Sequence, residues 1–487
     1  MREHIPLFVS MIAAAAGGLI CGPWLRRIAW RVGMLDRPKV RGVHGDTVAR
    51  SGGMTIVASL MIGLLAQMLT AQALGVSEGY LSNLEHVYLL LPALGIFGIG
   101  ALDDIRGLPA LGKLGVQAIA ALWVWALGFR LDALSFMGLV EVNTGWLSLP
   151  MTVLFVVALT NAFNLIDGID GLCGGVSFIA LAGVGMYRLI GGQVELTLAL
   201  PLAAACAAFI RLNFGRPRCF LGDSGSMFLG FIVSALSLRA VRTPAQAVDV
   251  VPLFLLLSLP IIDVTTVFFR RILQGRSPMR ADRGHIHHIA LLIFDGSAPR
   301  ATATLLTMAL VAAFGSIVAG AEPSFAAAAL AVPCGLFATI YALGGYLNPR
   351  SLWHAGPVTD AAELLATKAQ REGPEPSLRD ASMLDIMKRL ELHGLELVDT
   401  QGLRQFALGE CGKHYLQVPL YSGGRAQVGQ LRIAADVALR SRLAFAAHLL
   451  LPLYPVFIDL LQRAEPAPLA AIVHQTTAPA ARQGDIG

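Results

Sequence analysis

Apolar segments of about 17–22 residues recur along most of this chain, and each is long enough to form a helix that crosses a lipid bilayer. The composition agrees, since 55% of the 487 residues are hydrophobic and only 14% are charged. Soluble domains carry about 25% charged residues. We therefore expect an all-α polytopic membrane protein with about 11 transmembrane helices. The predicted helices lie near 5–23, 51–72, 87–102, 112–129, 148–164, 173–191, 196–212, 226–241, 250–270, 301–320 and 324–346.

Basic residues predict which side of the membrane each connection faces, because cytoplasmic loops collect Lys and Arg. The first connection, 24–50, holds six arginines and one lysine, and the connection 271–300 is also rich in arginine. Both are therefore expected in the cytoplasm, which places the N-terminus outside. Alternation along the chain then assigns three further connections to the cytoplasmic side, namely 103–111, 165–172 and 213–225.

The composition changes after Arg350, where the chain becomes more charged and contains no convincing span. An amphipathic helical pattern covers 378–392, and alternating residues over 414–434 predict two strands around Ser422, Gly423 and Gly424. A mostly apolar run, 443–461, contains two prolines, which favours a packed helix over a membrane span. We therefore expect a small C-terminal cytosolic α+β domain.

The chain is thus predicted to consist of four parts. These are a transmembrane domain over 1–346, a linker over 347–377, a cytosolic accessory domain over 378–464 and a disordered tail over 465–487. The six cysteines are scattered without a CxxC pair, so we expect neither a zinc site nor a disulfide framework.

Carboxylates stand at the ends of three apolar segments, within short strings rich in Gly and Asn. Asp103 and Asp104 lie in LDDIRGL, Asp167 and Asp170 in NAFNLIDGIDGL, and Asp223 in FLGDSGSMFLG. An ionised carboxylate at a membrane boundary is costly and usually serves a function. For any one string the alternative is a polar helix cap, but all three are predicted on one side of the membrane. They therefore indicate a single Mg²⁺-dependent phosphate site at the bilayer surface.

The string around Asp223 suits a phosphate as well as a metal ion. Gly222 and Gly225 let the backbone approach a ligand closely, and Ser224 and Ser226 offer hydroxyl groups at the start of the next helix. The N-terminus of that helix favours an anion. Since Mg²⁺ binds one or two carboxylates together with phosphate oxygens and water, the acidic pair and Asp223 are candidate ligands.

In the second string, Asn161, Asn164 and Asp167 recur every three residues, which predicts that they line one side of a helix end. Polar groups on an otherwise apolar helix need partners, because burying one unpaired costs about 2–7 kcal/mol. These side chains therefore either bind a substrate or form hydrogen bonds between helices.

Histidines and arginines cluster in the segment RSPMRADRGHIHH, residues 276–288. His285 and His287 do not have the i, i+4 spacing of a zinc hydrolase, and arginines beside histidines suit a diphosphate better than a metal. The alternative is a solvated basic loop that touches lipid headgroups. Lys113 lies just inside the helix after the acidic pair, where it either extends to the membrane edge or neutralises a phosphate.

These strings, in this order, resemble the polyprenyl-phosphate N-acetylhexosamine-1-phosphate transferases of glycosyltransferase family 4. The resemblance covers about residues 1–346 and rests on six motifs. The motifs are DxPxxRxxH at 36–44, DDxxxL at 103–108, Lys113, NxxNxxDGxDGL at 161–172, GDxGSxxLG at 222–230 and HIHH at 285–288.

The HIHH string resembles the WecA/TagO-like branch of the family, which takes UDP-GlcNAc or a related amino sugar. The related MraY enzymes of peptidoglycan synthesis usually carry three consecutive histidines there. Gly42 departs from the family pattern, which often has a basic residue at that position. In the C-terminal part, the stretch VPLYSGG and GQLRI resembles a GAF-like sensor module.

The resemblance implies transfer of an N-acetylhexosamine-1-phosphate, in the first place GlcNAc-1-phosphate, from a UDP-sugar to undecaprenyl phosphate, with release of UMP. It implies Mg²⁺ as the cofactor, with Mn²⁺ as a substitute, and a product that initiates a lipid-linked cell-surface polysaccharide such as lipopolysaccharide. The implied partners are undecaprenyl phosphate, a UDP-amino sugar and the bilayer of the bacterial inner (plasma) membrane, without nucleic acid. A homodimer and a regulator of the cytosolic tail are further expectations.

Carried over position by position, the resemblance implies three groups of site residues. The catalytic residues are Asp103 and Asp104. The metal ligands are Asp223, Asp104 and Asn164. The substrate-binding residues are Lys113, Asp167, Asp170, Arg283, His285, His287, His288, Arg41 and His44.

Two other functions stay open on the sequence. One is the phospho-MurNAc-pentapeptide transferase of peptidoglycan synthesis, and the other, from a different class, is a cation-coupled membrane transporter with buried carboxylates. A transporter is expected to carry acids near mid-span and to consist of two related halves. Here the acids lie at the ends of the predicted helices, and no related halves are evident.

Overall fold

The computed structural model of the chain describes residues 2–36, 47–76, 84–190, 198–215, 218–243, 245–273, 284–294 and 296–344. Nearer the C-terminus it describes 358, 361–362, 364–369, 371, 381–390, 392–401, 403–409, 415–422, 426–435, 446, 450 and 453–463. The chain divides into two compact units, Met1–Pro357 with Leu439–Leu449, and Val358–Ala438 with Leu450–Gly487.

The first unit is built mainly from helices. Their bounds are α1 Ile5–Val32, α2 Gly52–Ala73, α3 Leu84–Arg106, α4 Ala110–Ala126, α5 Ser148–Ile166, α6 Leu172–Ile190, α7 Ala199–Asn213, α8 Gly222–Ala240, α9 Val250–Leu256, α10 Ser258–Leu273, α11 Ile286–Ile293, α12 Ala298–Ala321 and α13 Ala326–Leu343. Each of the eleven predicted apolar segments coincides with one of these helices, except that the segment 250–270 forms the pair α9 and α10.

Several of these helices have the length and composition of membrane spans. Six apolar stretches of the described residues are long enough to cross a bilayer, and the pair α9 and α10 makes a seventh if the two are counted together. The two members of that pair meet at an angle of 89°. The six stretches are Ile5–Val32, Gly52–Ala73, Tyr88–Arg106, Gly145–Ile166, Ala298–Ala321 and Pro323–Leu343. The chain is therefore a mostly helical, multi-pass membrane protein.

Helix α8 forms the core of the first unit, where it packs against α2, α3, α5 and α6. Its sequence is largely apolar on every side, which is typical of a helix enclosed by other helices. All of its residues are buried except Asp223 and Arg239. Consequently, a partly exposed carboxylate stands at the N-terminus of an otherwise enclosed helix.

Two small sheets join helices of the first unit. Strand β1 (Leu35–Asp36) pairs antiparallel with β2 (Val48–Ala49), which brings together the two ends of the intervening loop. Strand β3 (Ala133–Phe136) pairs antiparallel with β4 (Val140–Asn143) and parallel with β5 (Val248–Asp249). The sequence does not predict these strands, because two to four residues are too few to show an alternating pattern.

The second unit contains a four-stranded antiparallel sheet in the order β7-β6-β9-β8. Its strands are β6 Leu392–Asp399, β7 Arg404–Gly409, β8 Tyr415–Ser422 and β9 Ala426–Ala435, and its helices include α14 Ala381–Arg389 and α15 Tyr454–Arg463. Strands β8 and β9 are the two that the sequence predicts around Ser422, whereas β6 and β7 are additional.

Helix α15 covers only the C-terminal part of the helix predicted over 443–461. It begins beside Pro455, because proline is tolerated in the first turn of a helix but not in its interior. Most of 443–452, most of the predicted linker and the predicted tail 465–487 lie outside the described residues.

Candidate active site

Acidic segments that are far apart in the sequence meet at the N-terminus of α8. The backbone N–H of Asp223 donates to Oδ1 of Asp104 at 3.0 Å, although 119 positions separate the two residues. The turn that carries Asp167 and Asp170 lines the same cavity as Asp223. The structure therefore brings the three acidic strings of the sequence to one place.

A close approach between α3 and α8 places the acidic pair at this N-terminus. A Cβ atom added at Gly100 of α3 would lie 2.6 Å from Cα of Ser224, so only glycine fits between the two backbones. Gly222 has a φ of +75°, and a Cβ atom there would lie 2.6 Å from Oδ2 of Asp104. Glycine at these two positions therefore lets the carboxylate of Asp104 reach the first turn of α8.

Asp104 is buried, and donors of the protein occupy both of its carboxylate oxygens. Oδ1 accepts from the backbone N–H of Asp223 at 3.0 Å and from Nη1 of Arg50 at 3.2 Å. Oδ2 accepts from the backbone N–H of Ser224 at 3.0 Å and from its hydroxyl at 2.8 Å. A carboxylate offers about four acceptor sites, so these donors satisfy it. Asp104 is thus the anion that the N-terminus of α8 favours.

Arg50 joins Asp104 to the β1–β2 ribbon. Its Nη2 donates to Oδ1 of Asp36 at 2.6 Å, while its Nη1 reaches Asp104. Asp36 is the first residue of the DxPxxRxxH motif. The β1–β2 ribbon therefore lies beside Asp104. Arg41 and His44, the substrate-binding residues predicted from this motif, lie outside the described residues.

Asp103 and Asp223 share one cation, the ammonium group of Lys113. Its Nζ donates to Oδ2 of Asp103 at 3.0 Å and to Oδ2 of Asp223 at 2.9 Å. The other oxygen of Asp103 accepts from the backbone N–H of Leu108 at 2.5 Å, which fixes that carboxylate. Unlike the carboxylate of Asp104, both carboxylates keep some solvent exposure. They therefore converge on a cation position that solvent can reach.

The asparagines that the sequence places three residues apart have different partners. Oδ1 of Asn164 accepts from the hydroxyl of Ser226 at 2.7 Å, and its amide nitrogen lies 3.5 Å from Oδ2 of Asp223. Asn161 instead donates to Oε1 of Gln117 in α4 at 2.6 Å. Asn164 therefore belongs to the acidic site, whereas Asn161 forms the hydrogen bond between helices that the sequence left as the alternative.

A cavity of about 250 Å³ opens beside Asp223. Asn213 helps to shape it, because its side chain accepts from the backbone N–H of Gly171 at 2.5 Å and donates to the carbonyl of Cys219 at 2.8 Å. Burial, together with repulsion from the carboxylates of the site, raises the pKa of the Asp167 carboxyl well above its usual range. The lining residues are Asp36, Arg50, Asn164, Asp167, Gly168, Ile169, Asp170, Asn213, Phe220, Leu221, Gly222 and Asp223.

The three predicted histidines form a cluster against the acidic turn. The rings of His285 and His287 stack with centroids 5.9 Å apart at an angle of 8°, and the ring of His288 lies 4.2 Å from that of His287. His287 is buried, and its Nε2 leaves no room for a side chain at Gly168. Burial, followed by repulsion from His288 and His285, lowers the pKa of His287 well below its ordinary value. The ring of His287 is therefore neutral at pH 7.

Asp263 of α10, which belongs to none of the motifs, holds this cluster in place. Its Oδ2 lies 2.8 Å from Nδ1 of His285, and its Oδ1 accepts from the backbone N–H of Ile286 at 2.7 Å. The side chain is fully buried. A carboxylate within an apolar segment was the signal in the sequence that could have identified it.

The structure thus adds residues to the predicted site and leaves others undecided. Arg283 lies outside the described residues, as do Arg41 and His44. The additional residues are Asp36, Arg50, Asn213 and Asp263. Asp36 and Arg50 lie at the two ends of the loop that carries the first motif. Their charges are visible in the sequence, but the ion pair that they form across the loop is not.

The shared cation position suits a divalent metal ion. Asp103 and Asp223 supply two carboxylates, and the amide nitrogen of Asn164 lies 3.5 Å from Asp223. Among the described residues, no group of three or more His, Cys, Asp or Glu side chains is arranged to hold a metal by itself. Mg²⁺ fits such an incomplete set, because it takes one or two carboxylates and completes its shell with phosphate oxygens and water.

Comparison with known proteins identifies relatives that share this region. The profile of glycosyl transferase family 4 matches residues 86–241, which run from α3 to α8 and contain the three acidic strings. A probable undecaprenyl-phosphate N-acetylglucosaminyl 1-phosphate transferase of Bacillus subtilis (strain 168) is 34% identical over 289 residues, which are 59% of this chain and 78% of the relative. The undecaprenyl-phosphate alpha-N-acetylglucosaminyl 1-phosphate transferases of Escherichia coli (strain K12) and Yersinia pestis are each 30% identical, over 58% of this chain and 76% of their own lengths.

The relatives align over more than two thirds of their own lengths, and the residues matched by the family profile include the acidic pair, Lys113, Asn164 and Asp223. The family that the sequence motifs resemble is thereby confirmed. The chain belongs to glycosyl transferase family 4.

Proposed function

We propose that the protein transfers GlcNAc-1-phosphate from UDP-GlcNAc to undecaprenyl phosphate and releases UMP. One observation carries the proposal: Asp103 and Asp223 converge on one cation position beside a cavity. Relatives named for this reaction support it. The product would initiate a lipid-linked cell-surface polysaccharide.

The site is proposed to lie at the cytoplasmic boundary of the bacterial inner membrane, in a chain with about 11 membrane-crossing segments and its N-terminus outside. The β1–β2 ribbon and the histidine cluster support this orientation. Both contact the acidic site, and both border connections rich in arginine, 24–50 and 271–300. At that boundary the phosphate of a membrane-bound acceptor can meet a UDP-sugar dissolved in the cytosol.

Asp103 and Asp223 are the residues that would hold Mg²⁺, with Mn²⁺ as a substitute. Asn164, whose oxygen accepts from Ser226 and whose amide nitrogen faces Asp223, would hold that carboxylate in position. When bound, the metal ion would neutralise charge on the donor diphosphate. In the free protein Lys113 supplies the positive charge between the two carboxylates. Asp104 is proposed to anchor the N-terminus of α8 instead of binding the ion, since four protein donors already occupy its oxygens.

Asp103 is proposed to orient the acceptor phosphate and to take a proton that this phosphate carries. An acceptor oxygen then forms a bond to the β-phosphorus of the donor, and the bond to the bridging oxygen breaks, so that UMP leaves with that oxygen. A route through an aspartyl phosphate would use the same residues. Inversion at a chiral β-phosphorus would indicate direct transfer, and retention would indicate the covalent route.

The cavity is proposed to receive the donor nucleotide. Phe220 and Asn213 line it, and the acidic turn with Asp167 and Asp170 forms part of its wall. The histidine cluster, with Arg283, is proposed to contact the diphosphate or the sugar, because it lies against this turn. The second unit is proposed to be a cytosolic accessory domain that a regulator binds, and the chain is proposed to form a homodimer.

A panel of donors tests the proposed reaction. Purified protein is incubated with undecaprenyl phosphate, Mg²⁺ and labelled UDP-GlcNAc, UDP-GalNAc or UDP-MurNAc-pentapeptide, and the label in extracted lipid is measured. We expect transfer from UDP-GlcNAc and no transfer after Asp223→Asn, with normal insertion of that variant into membranes. Preferred transfer from the pentapeptide donor would establish the peptidoglycan alternative, and no transfer from any donor would overturn the proposal. The relatives do not favour a transporter.

A further inference from the structure

Two buried polar residues of α10 hold the segment that leads into the histidine cluster. Asp263 and Arg270 are seven positions apart and therefore lie on the same face of the helix. Nη1 of Arg270 donates to the carbonyl of Gly284 at 3.0 Å, and Asp263 accepts from the next two residues, His285 and Ile286. Both side chains are buried, at 0% and 6% exposure for Asp263 and Arg270. A carboxylate in such surroundings is retained only with partners that compensate its burial.

The hydrogen bond to His285 restricts that ring in two ways. An ionised carboxylate only accepts, so the proton of the pair lies on Nδ1 of His285, which leaves Nε2 as the remaining hydrogen-bonding atom of the ring. The second bond of Asp263, to the N–H of Ile286, fixes the backbone at the start of α11. The carboxylate therefore sets the orientation of the ring and the position of the helix together.

The orientation of His285 passes to the acidic turn through the stacked rings. His285 packs on His287 in nearly parallel planes, and Nε2 of His287 lies against Gly168 between the two acids of the turn. Because Gly168 has no side chain, the ring of His287 packs directly against the backbone of the acidic turn. A movement of the ring therefore acts on the turn without a flexible side chain between them. A rotation of His285 would therefore displace the cluster from the cavity wall.

We propose that Asp263 is a positioning residue for the transfer reaction, which holds His285, and through it the histidine cluster, in the orientation that contacts the donor. The inference rests on the proposed function and adds to it a residue outside the family motifs. Asp263 acts through His285 and does not itself touch a substrate.

The substitution Asp263→Asn separates this role from a structural one. An asparagine can still accept from the N–H of Ile286, but its NH₂ group donates to Nδ1 and so moves the ring proton to Nε2. The protein would keep its fold and present the wrong face of the histidine. A matched control is Asp249→Asn at the start of the other half of the bent helix pair, where the carboxylate is also buried and accepts from the backbone N–H groups of Val251 and Met137.

The experiment is a double-mutant cycle on purified full-length protein. Transfer from UDP-GlcNAc to undecaprenyl phosphate is measured for the wild type, Asp263→Asn, His285→Ala, the double variant and Asp249→Asn, with kcat, KM for the donor and the pH profile of kcat. We expect kcat of Asp263→Asn to fall about 10–100-fold, by analogy with the loss of partners that orient a metal-bound histidine. The pH profile should change shape, the double variant should be no slower than His285→Ala, and Asp249→Asn should match the wild type.

Three results would overturn the inference. The first is a wild-type kcat and pH profile for Asp263→Asn. The second is a double variant in which the losses of kcat caused by Asp263→Asn and His285→Ala multiply, and the third is a loss of kcat in Asp249→Asn as large as that in Asp263→Asn. If Asp263→Asn does not accumulate in membranes, Asp263→Glu replaces it in the same cycle and is judged on kcat alone. The longer side chain keeps the carboxylate but shifts it together with the ring that it holds, so kcat should fall in the wild-type background and not in the His285→Ala background, and wild-type kcat would overturn the inference. Failure of the proposed function is distinguishable, since the wild type itself would then transfer no label.

Discussion

Asp104 caps the helix that carries Asp223, because its carboxylate accepts from the first backbone N–H groups of α8. Two neighbouring acids of one motif consequently have different surroundings. Asp103 faces Lys113 and solvent, whereas Asp104 is enclosed and fully hydrogen-bonded. The arrangement separates a residue that can take part in chemistry from one that fixes where the chemistry occurs.

The two acids should therefore respond differently to substitution by asparagine. Asp104→Asn turns an NH₂ group toward donors that need an acceptor, which costs about 1–3 kcal/mol of stability and lowers the melting temperature. Asp103→Asn should abolish transfer with little change in the melting temperature, since its carboxylate is partly exposed. Thermal unfolding in detergent, paired with the transfer assay, checks both. Equal melting temperatures for the two variants would contradict the role assigned to Asp104.

Lys113→Met should make the stability of the protein depend on divalent metal ions. Without the ammonium group, Asp103 and Asp223 face each other with no cation between them, and a metal ion bound there stabilises the folded state by mass action. We expect a larger increase in melting temperature on addition of Mg²⁺ for Lys113→Met than for the wild type. The conservative variant Lys113→Arg serves as the control. No response to Mg²⁺ in Lys113→Met would mean that the shared cation position is not the metal site.

Gly100→Ala should disturb the contact between α3 and α8. The added methyl group would overlap the backbone at Ser224, and overpacking of this kind typically costs about 1–3 kcal/mol. Gly98→Ala on the same helix is a close control, because a Cβ atom there meets nothing within 4 Å. We expect loss of transfer and a lower melting temperature for the first variant only. Wild-type behaviour of Gly100→Ala would show that the helices can separate without harm.

The neutral ring of His287 predicts a loss of stability in mild acid. An unfolded histidine titrates near pH 6.5, whereas the pKa of His287 in the folded protein lies well below that value. Between these two values only the unfolded chain binds the proton. The free energy of unfolding therefore decreases by about 1.4 kcal/mol for each unit by which the pH is lowered. His287→Gln should remove this part of the pH dependence. Melting temperatures of both proteins from neutral to mildly acidic pH measure it, and parallel curves would refute the assignment.

Much of the first unit could be predicted from the sequence. The eleven apolar segments coincide with helices because a bilayer leaves few alternatives to a helix for so long an apolar stretch. Asn161 and Asn164 lie in the last turns of α5, as their spacing predicts, whereas Asp167 follows the end of that helix. The acids at the ends of apolar segments indicated a common site, and the structure brings them together. These features depend on local periodicity and on the side of the membrane, which a sequence records directly.

Pairings across the fold were beyond the sequence. Helix α8 begins at Gly222, four residues before the predicted start, because Asp104 from another helix caps it. The sequence suggested a phosphate as the anion at this N-terminus, whereas in the structure the carboxylate of Asp104 lies there. Asp263 is visible in the sequence as a carboxylate within an apolar segment. Its partner His285 lies 22 positions later, at a spacing that no helical periodicity indicates. Strands β6 and β7 were missed, since their residues also suit a helix or a loop.

The enclosure of α8 has a consequence for how the protein tolerates different membranes. Changes in bilayer thickness or lipid composition act first on the outer helices, which meet the acyl chains. Because every residue of α8 except Asp223 and Arg239 is buried, such changes reach the helix that bears Asp223 mainly through the helices that enclose it.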